Sequence, residues 1–170
     1  MNEQTKQQLA AISELHEILD RKDIEHWLIG GWAVDFHNGA VTRNHEDIDL
    51  AVWFKDLSRI KLLLERGRWQ HAPEQDEDGG TGYERGALRL ELTFLLRAKD
   101  GNVYTPLRQG REPFPKGSFE ENILELGSGR CNVVGLASIT KSKSSPRLDP
   151  DDAAKDRADF KVLRQIDRSK

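Results

Sequence analysis

The stretch that most limits how this chain can fold runs from His26 to Trp53. A short apolar run, His26-Trp27-Leu28-Ile29, ends at the glycine pair Gly30-Gly31. After a polar connection, a second run alternates as Asp47-Ile48-Asp49-Leu50-Ala51-Val52-Trp53. Short apolar runs bounded by turn residues read as buried strands, and only Trp32 to about His37 between them looks helical, with Asn38-Gly39 as its stop. Side chains alternate along a strand, so Asp47 and Asp49 share one face, about 7 Å apart, while Ile48 and Leu50 enter the core. Two such carboxylates repel unless something cationic lies between them, and magnesium is a hard cation that takes oxygen ligands. A strand that passes through two glycines into a helix leaves backbone N–H groups open to a phosphate. Taken singly, a solvated acidic strand face explains the aspartates equally well, and a tight strand–helix turn explains the glycine pair better. Taken together, they lead us to expect that the two ends meet as one nucleotide–metal site. A P-loop is excluded because no Gly-Lys-Ser/Thr follows, and a dinucleotide fold lacks its third glycine.

Around this centre the chain reads as an α+β protein. Leu9, Ile12, Leu15, Ile18 and Leu19 recur at helical spacing, so Thr5 to about Arg21 is a helix with Thr5 as its cap. A second long helix runs from Asp56 to near Gly67, and Trp69 to Ala72 reads as a strand. The acidic segment Glu74 to Gly82 is a loop. Tyr83 to Arg85 and Ala87 to Leu96 form a hairpin, followed by a short strand over Val103 to Pro106. Arg108 to Gly117 is rich in Pro, Gly and Arg and reads as irregular chain. Glu125 to Val134 is a second hairpin, Leu136 to about Lys143 a short helix, and Asp151 to about Ile166 the last helix. Its apolar positions are Ala154, Ala158, Val162, Leu163 and Ile166. The expected division is a catalytic core over residues 1–110 and a C-terminal extension over 111–170 packed on it.

The 170 residues suffice for a core without staples. A net charge of −3 argues against a dedicated binder of long nucleic acid. The single cysteine, Cys131, cannot form an internal disulfide and fits a reducing cytoplasm, which is the expected location. The first residues lack the uninterrupted apolar core of a signal peptide, and no run approaches the ~18–20 apolar residues of a membrane span.

Gly30 to Asp35, Thr42-Arg43 and His45 to Asp49 together resemble the nucleotidyltransferase superfamily that includes DNA polymerase β. The likeness is closer still to its aminoglycoside 2''-adenylyltransferases and lincosamide nucleotidyltransferases. These carry Gly-Gly-Trp-Ala/Gly-Val-Asp, Thr-Arg and His-x-Asp-Ile/Leu-Asp. The resemblance is strong over about twenty residues and loose over the first hundred. It implies a mixed-sheet nucleotidyltransferase core flanked by helices, with a short C-terminal helical segment.

The resemblance also implies a third acidic residue on a neighbouring strand. In the run Arg89 to Leu95, the leucines and Phe94 alternate inward, while Arg89, Glu91 and Thr93 share the other face. Glu91 is therefore assigned as third metal ligand, general base or both, with Glu84 as fallback. The family often has aspartate there. The implied reaction is magnesium-dependent transfer of a nucleoside monophosphate, AMP from ATP, to an acceptor hydroxyl with release of pyrophosphate. Asp47, Asp49 and Glu91 would hold metal, and the Gly30 and Gly31 amides with Arg43 would hold phosphates. Thr42 is a turn residue that helps fix Arg43. His45 either touches phosphate or makes a structural hydrogen bond. Trp32, Val34 and Phe36 belong to the core, and Asp35 sits where a helix start favours a carboxylate. Lys155, in a Lys-Asp-x-x-Asp pattern with Asp156 and Asp159, reaches the triphosphate or pairs with Asp151 or Asp159. Lys141, Lys143 and Arg147 are weaker phosphate candidates.

The implied acceptor is a small molecule, an aminoglycoside or a lincosamide. A polycationic aminoglycoside would use the acidic run Glu74 to Asp78, and a lincosamide would use the aromatic rings of Trp53, Tyr83 and Tyr104. The rival readings are a toxin–antitoxin-type transferase acting on tRNA or protein, and a silent nucleotide-binding protein. No stable nucleic-acid or membrane partner is expected, and the chain would be a monomer or homodimer.

Overall fold

The two strands of the central stretch lie side by side. A computed structural model describes residues 1–169. In it, β1 (His26–Ile29) runs antiparallel to β2 (Ile48–Trp53), with Ile29 opposite Asp49. Between them the glycine pair opens α2 (Gly30–Asn38), which ends on the left-handed Gly39. Before them comes α1 (Glu3–Asp20), capped by Asn2 rather than Thr5: the Asn2 side chain accepts from the Thr5 N–H at 2.8 Å.

After β2, the helix α3 (Leu57–Arg66) leads to a strand β3 of only two residues, Gln70–His71. The expected hairpin is β4 (Gly80–Arg85) and β5 (Leu88–Arg97), so the loop before it closes three residues earlier than its composition indicated. The strand β6 (Val103–Leu107) is followed by β7 (Gly110–Pro113), which pairs antiparallel with it where irregular chain was expected. All four residues of β7 are exposed, so burial left no apolar alternation to read. The sheet order is β1-β2-β5-β4-β3, with β6 and β7 continuing from the far end of β5. Only β2 and β5 are parallel, so the sheet is mixed, as expected.

The chain then returns through the hairpin β8 (Ile123–Leu126) and β9 (Gly129–Asn132) to the other edge of β1. There Val134 N–H donates to Leu28 O at 3.0 Å, and the Asn132 side chain donates to His26 O at 3.0 Å. Two helices close the structure, α4 (Leu136–Ser144) and α5 (Pro150–Arg168), and both pack against α2.

One apolar cluster joins Leu9, Ile12 and Leu15 of α1 to Trp32 and Val34 of α2, Ile48 and Leu50 of β2, and Leu90 and Leu92 of β5. Cys131, Val133, Ile139 and Leu163 from the C-terminal segment belong to the same cluster. Burying each Leu or Ile contributes about 1.5–3 kcal/mol. Trp32, Val34 and Phe36 are core residues, as their pattern indicated. The last helix departs from its expected pattern. Ala154 and Ala158 face solvent, while Asp156 and Asp159 are buried. Buried carboxylates need cationic partners, and these come from the site. Among the described residues, no helix is long and apolar enough to cross a membrane.

Candidate active site

The parallel pairing of β2 and β5 places Asp49 directly opposite Glu91, and the β1 pairing places Ile29 on the other side of Asp49. Asp47 immediately precedes β2. Carboxylate oxygens of Asp47, Asp49 and Glu91 lie within 4.8 Å of one another, and all three residues are half-buried. Burial above all, then the charges of Asp47 and Glu91, pushes the Asp49 carboxyl well above the usual carboxylate range. Burial and the Asp47 charge likewise raise Glu91. This donor set consists only of hard oxygens, is short of positive charge, and therefore suits magnesium.

The glycine pair is what allows the carboxylates this position. Gly30 has φ +71°, and a Cβ there would lie 2.5 Å from Asp49 Oδ2. A Cβ on Gly31 would strike the Arg43 guanidinium and lie 2.7 Å from His45 Nδ1. The N-terminus of α2 has no side-chain cap, so its first amides are open at the edge of the cleft.

That cleft, about 320 Å³, has the three carboxylates on one wall. Arg43, Lys143, Arg147 and Lys155 line it as well, on segments that α4, α5 and the α2–β2 connection supply. Arg43 forms a two-pronged ion pair with Asp159, Nε to Oδ1 and Nη2 to Oδ2, both at 2.9 Å. Lys143 bridges Asp156 and Asp159 at 3.1 and 3.0 Å. Its positive charge acts against the upward shift at Asp49. Burial alone would raise the Asp159 carboxyl, but Arg43 and Lys143 together hold it below the usual range. The buried acids of α5 thus anchor the two most enclosed cations of the cleft.

Other expected residues are placed differently. Thr42 donates to Asp35 Oδ1 at 2.5 Å and does not line the cleft. His45 Nε2 lies 2.6 Å from Asp35 Oδ2, with its ring 4.3 Å from Trp32, so its hydrogen bond is the structural one. It still borders the cleft through the Gly31 side. Asp35 is fully buried and ties both residues to α2. It serves these two hydrogen bonds rather than the helix start, where a carboxylate was expected to act. Lys155 pairs with neither Asp151 nor Asp159 but with Glu46, at 2.8 Å across the cleft mouth. Lys141 donates to Pro113 O and lies outside the cleft. Lys143, which the sequence ranked low, is the most enclosed lysine of the site; only the Asp156 and Asp159 spacing on α5 hinted at a buried cation partner.

Glu84 is held by Gln75 at 2.7 Å and is not part of the cleft. Of the acidic run Glu74 to Asp78, only Glu77 reaches it. Asp76 is occupied by His71 and Thr81, and Asp78 accepts from the Arg108 N–H. Trp53, Tyr83 and Tyr104 do not line it either. Trp53 and Tyr83 are buried in the core, and the Tyr104 ring lies under Arg111. The aromatic ring that does line the cleft is Phe114.

This arrangement matches known proteins at three levels. In sequence, the chain is 45% identical over 57 residues to 2''-aminoglycoside nucleotidyltransferases of Klebsiella pneumoniae and Escherichia coli. That match spans 32% of this chain and 32% of each relative, about a third of their length. In fold, the chain resembles a crystal structure of ANT(2'')-Ia in complex with adenylyl-2''-tobramycin, with a TM-score of 0.69 at 21% identity. The overlap covers 96% of this chain and 98% of that one. A lincomycin-bound structure of the lincosamide antibiotic adenylyltransferase LnuA gives a TM-score of 0.68 at 19% identity, covering 88% and 92%. The profile of one family, aminoglycoside-2''-adenylyltransferase, matches residues 11–126 and so takes in the glycine pair and all three carboxylates. With that match over more than half of its length, the chain belongs to the aminoglycoside-2''-adenylyltransferase family.

Proposed function

We propose that this protein transfers AMP from ATP to a hydroxyl of a small polycationic or lincosamide-like antibiotic and releases pyrophosphate. The observation that carries this reading is the joining, in one cleft, of three converging carboxylates and a wall of arginine and lysine. Triphosphate needs the second, and the metal that accompanies it needs the first.

Asp47, Asp49 and Glu91 would hold magnesium. When bound, the ion neutralises phosphate charge and lowers the pKa of a coordinated hydroxyl. The residues of the chain do the rest. The open amides of α2 and the guanidinium of Arg43 receive phosphate oxygens, with Lys143 as a fixed charge beside them. Glu91 takes the proton of the acceptor hydroxyl as its oxygen bonds to the α-phosphorus and the bond to pyrophosphate breaks. Lys155 and Glu46 close the cleft mouth. A cationic acceptor would meet Glu77 at that mouth, beside Glu46 and Asp152, whose carboxylates Lys155 and Arg147 hold until the acceptor exchanges for them. Phe114 supplies the one aromatic ring against which a sugar or apolar ring can pack.

The test is a screen of labelled ATP and magnesium against aminoglycosides, lincosamides and total RNA, read by thin-layer chromatography. Label is expected on an aminoglycoside or lincosamide, and Glu91→Gln should cut turnover at least 100-fold with little change in ATP affinity. Label on RNA alone would overturn the small-molecule acceptor. Unchanged turnover in Glu91→Gln would overturn the proton role.

A further inference from the structure

On the face of the sheet edge away from the cleft, three elements converge on a second cluster of ligating side chains. His16 comes from α1, His26 from the first position of β1, and Cys131 from β9. One ligating atom of each lies within 4.8 Å of those of the other two, and all three residues are buried, at 3%, 2% and 1% exposure. We propose that His16, His26 and Cys131 form a site for a divalent transition ion of the zinc class, separate from the magnesium site.

The donor set points to that class. Two imidazoles and a thiolate suit zinc or cobalt and are poor ligands for magnesium. The hydrogen bonding also prepares the ligands. His26 Nδ1 lies 2.8 Å from Ile24 O, and a carbonyl can only accept, so Nδ1 carries the hydrogen and Nε2 keeps its lone pair. This is the carbonyl support that metal-bound histidines commonly have. That lone pair accepts from His16 Nδ1–H at 2.7 Å, so His26 is ready to ligate, whereas His16 must first shift its hydrogen to Nε2. Burial pushes His26 down to about 4 and lowers His16, but it also pushes the Cys131 thiol up to about 12, so the sulfur becomes a ligand only by giving up its proton as the metal binds. Two nitrogens on one tetrahedral ion lie about 3.3 Å apart, so the rings need to part by only about 0.6 Å.

The remaining position opens on a recess of about 300 Å³ lined by His16, His26 and Asp20. Asp20 sits one helical turn beyond His16, and its charge acts on both imidazoles. It or a water would complete the four. Binding exchanges the Cys131 thiol hydrogen for the metal and releases it as a proton. Such an ion would staple α1 and β9 to β1. These three elements are otherwise joined by packing and by a few bonds, such as Ser13 Oγ to Ser128 O at 2.7 Å.

The test uses the full chain with Asp47→Asn and Asp49→Asn, which disables the oxygen site. The protein is stripped with chelator, then titrated with cobalt(II) as an optical probe and with zinc in competition against a chromophoric chelator. We expect one equivalent, a thiolate-to-cobalt charge-transfer band that zinc abolishes, and a zinc-dependent rise in Tm. Cys131→Ser, checked for an unchanged far-UV circular dichroism spectrum in chelator, should lose the band and weaken zinc at least tenfold. Cobalt binding without the band would overturn the proposal, and it requires no change at the site itself. Equal zinc affinity in Cys131→Ser would overturn it as well.

Discussion

Asp49 is the residue on which the site's electrostatics turn. It is squeezed between the Gly30 backbone and Glu91, with Asp47 nearby. Burial first, and then the charges of Asp47 and Glu91, raises its pKa in the folded protein above the ~3.9 of an unfolded chain. Its contribution to stability is therefore complete below about pH 3.9 and lost as pH rises through the higher folded value. In chelator, Asp49→Asn should raise Tm at pH 7–8 and lose that advantage toward pH 4; assayed separately with magnesium, it should abolish transfer. Calorimetry across pH checks this, and a pH-independent difference would remove Asp49 as the strained group. Much at this scale was legible. Asp47, Asp49 and Glu91 were found because strand parity fixes which face a side chain takes. The role of Asp35 was not, because a carboxylate early in a helix looks the same whether it meets water or, as here, Thr42 and His45.

At the scale of elements, α5 docks through charge as well as through Leu163 and Ile166. Asp159, 1% exposed, holds both Arg43 and Lys143. Removing one partner of such a buried cluster costs about 3–5 kcal/mol. Asp159→Asn should lower stability by that order in urea at pH 7 and raise the KM for ATP more than it lowers kcat. Because the Asp159 carboxyl is held below its unfolded value, its contribution is present above about pH 3.9 and lost as pH falls through the folded value. The gap between wild type and variant should therefore narrow in acid. A gap that persists unchanged below pH 3 would mean that ionisation of Asp159 does not matter. The sequence read α5 as a helix with an apolar face, and its extent was nearly right. Its buried face was misassigned, because alanines and aspartates at alternating turns do not reveal which side meets two cations from distant segments.

For the whole molecule, the carboxylate cluster should couple metal binding to folding. If magnesium is held by the native arrangement and not by the dispersed chain, at a hundred times its dissociation constant it should add about 2.7 kcal/mol. A thermal-shift series should show Tm rising with magnesium in the wild type and flat in the Asp47→Asn, Asp49→Asn double variant. An equal rise in both would place the ion elsewhere. What the sequence alone determined was local in origin: strand alternation, the glycine pair before a helix, and the spacing of two aspartates. Those features named the fold class and the glycine and carboxylate wall of the cleft, since each is set by backbone geometry within a few residues. The tertiary structure alone decided which charges meet. Lys143 faces Asp159, Lys155 reaches Glu46, and only Glu77 of the acidic run borders the cleft. Such pairings join residues 13 to 116 positions apart; no periodicity encodes them, and a long side chain's partner is fixed only when packing brings its neighbours within hydrogen-bond reach.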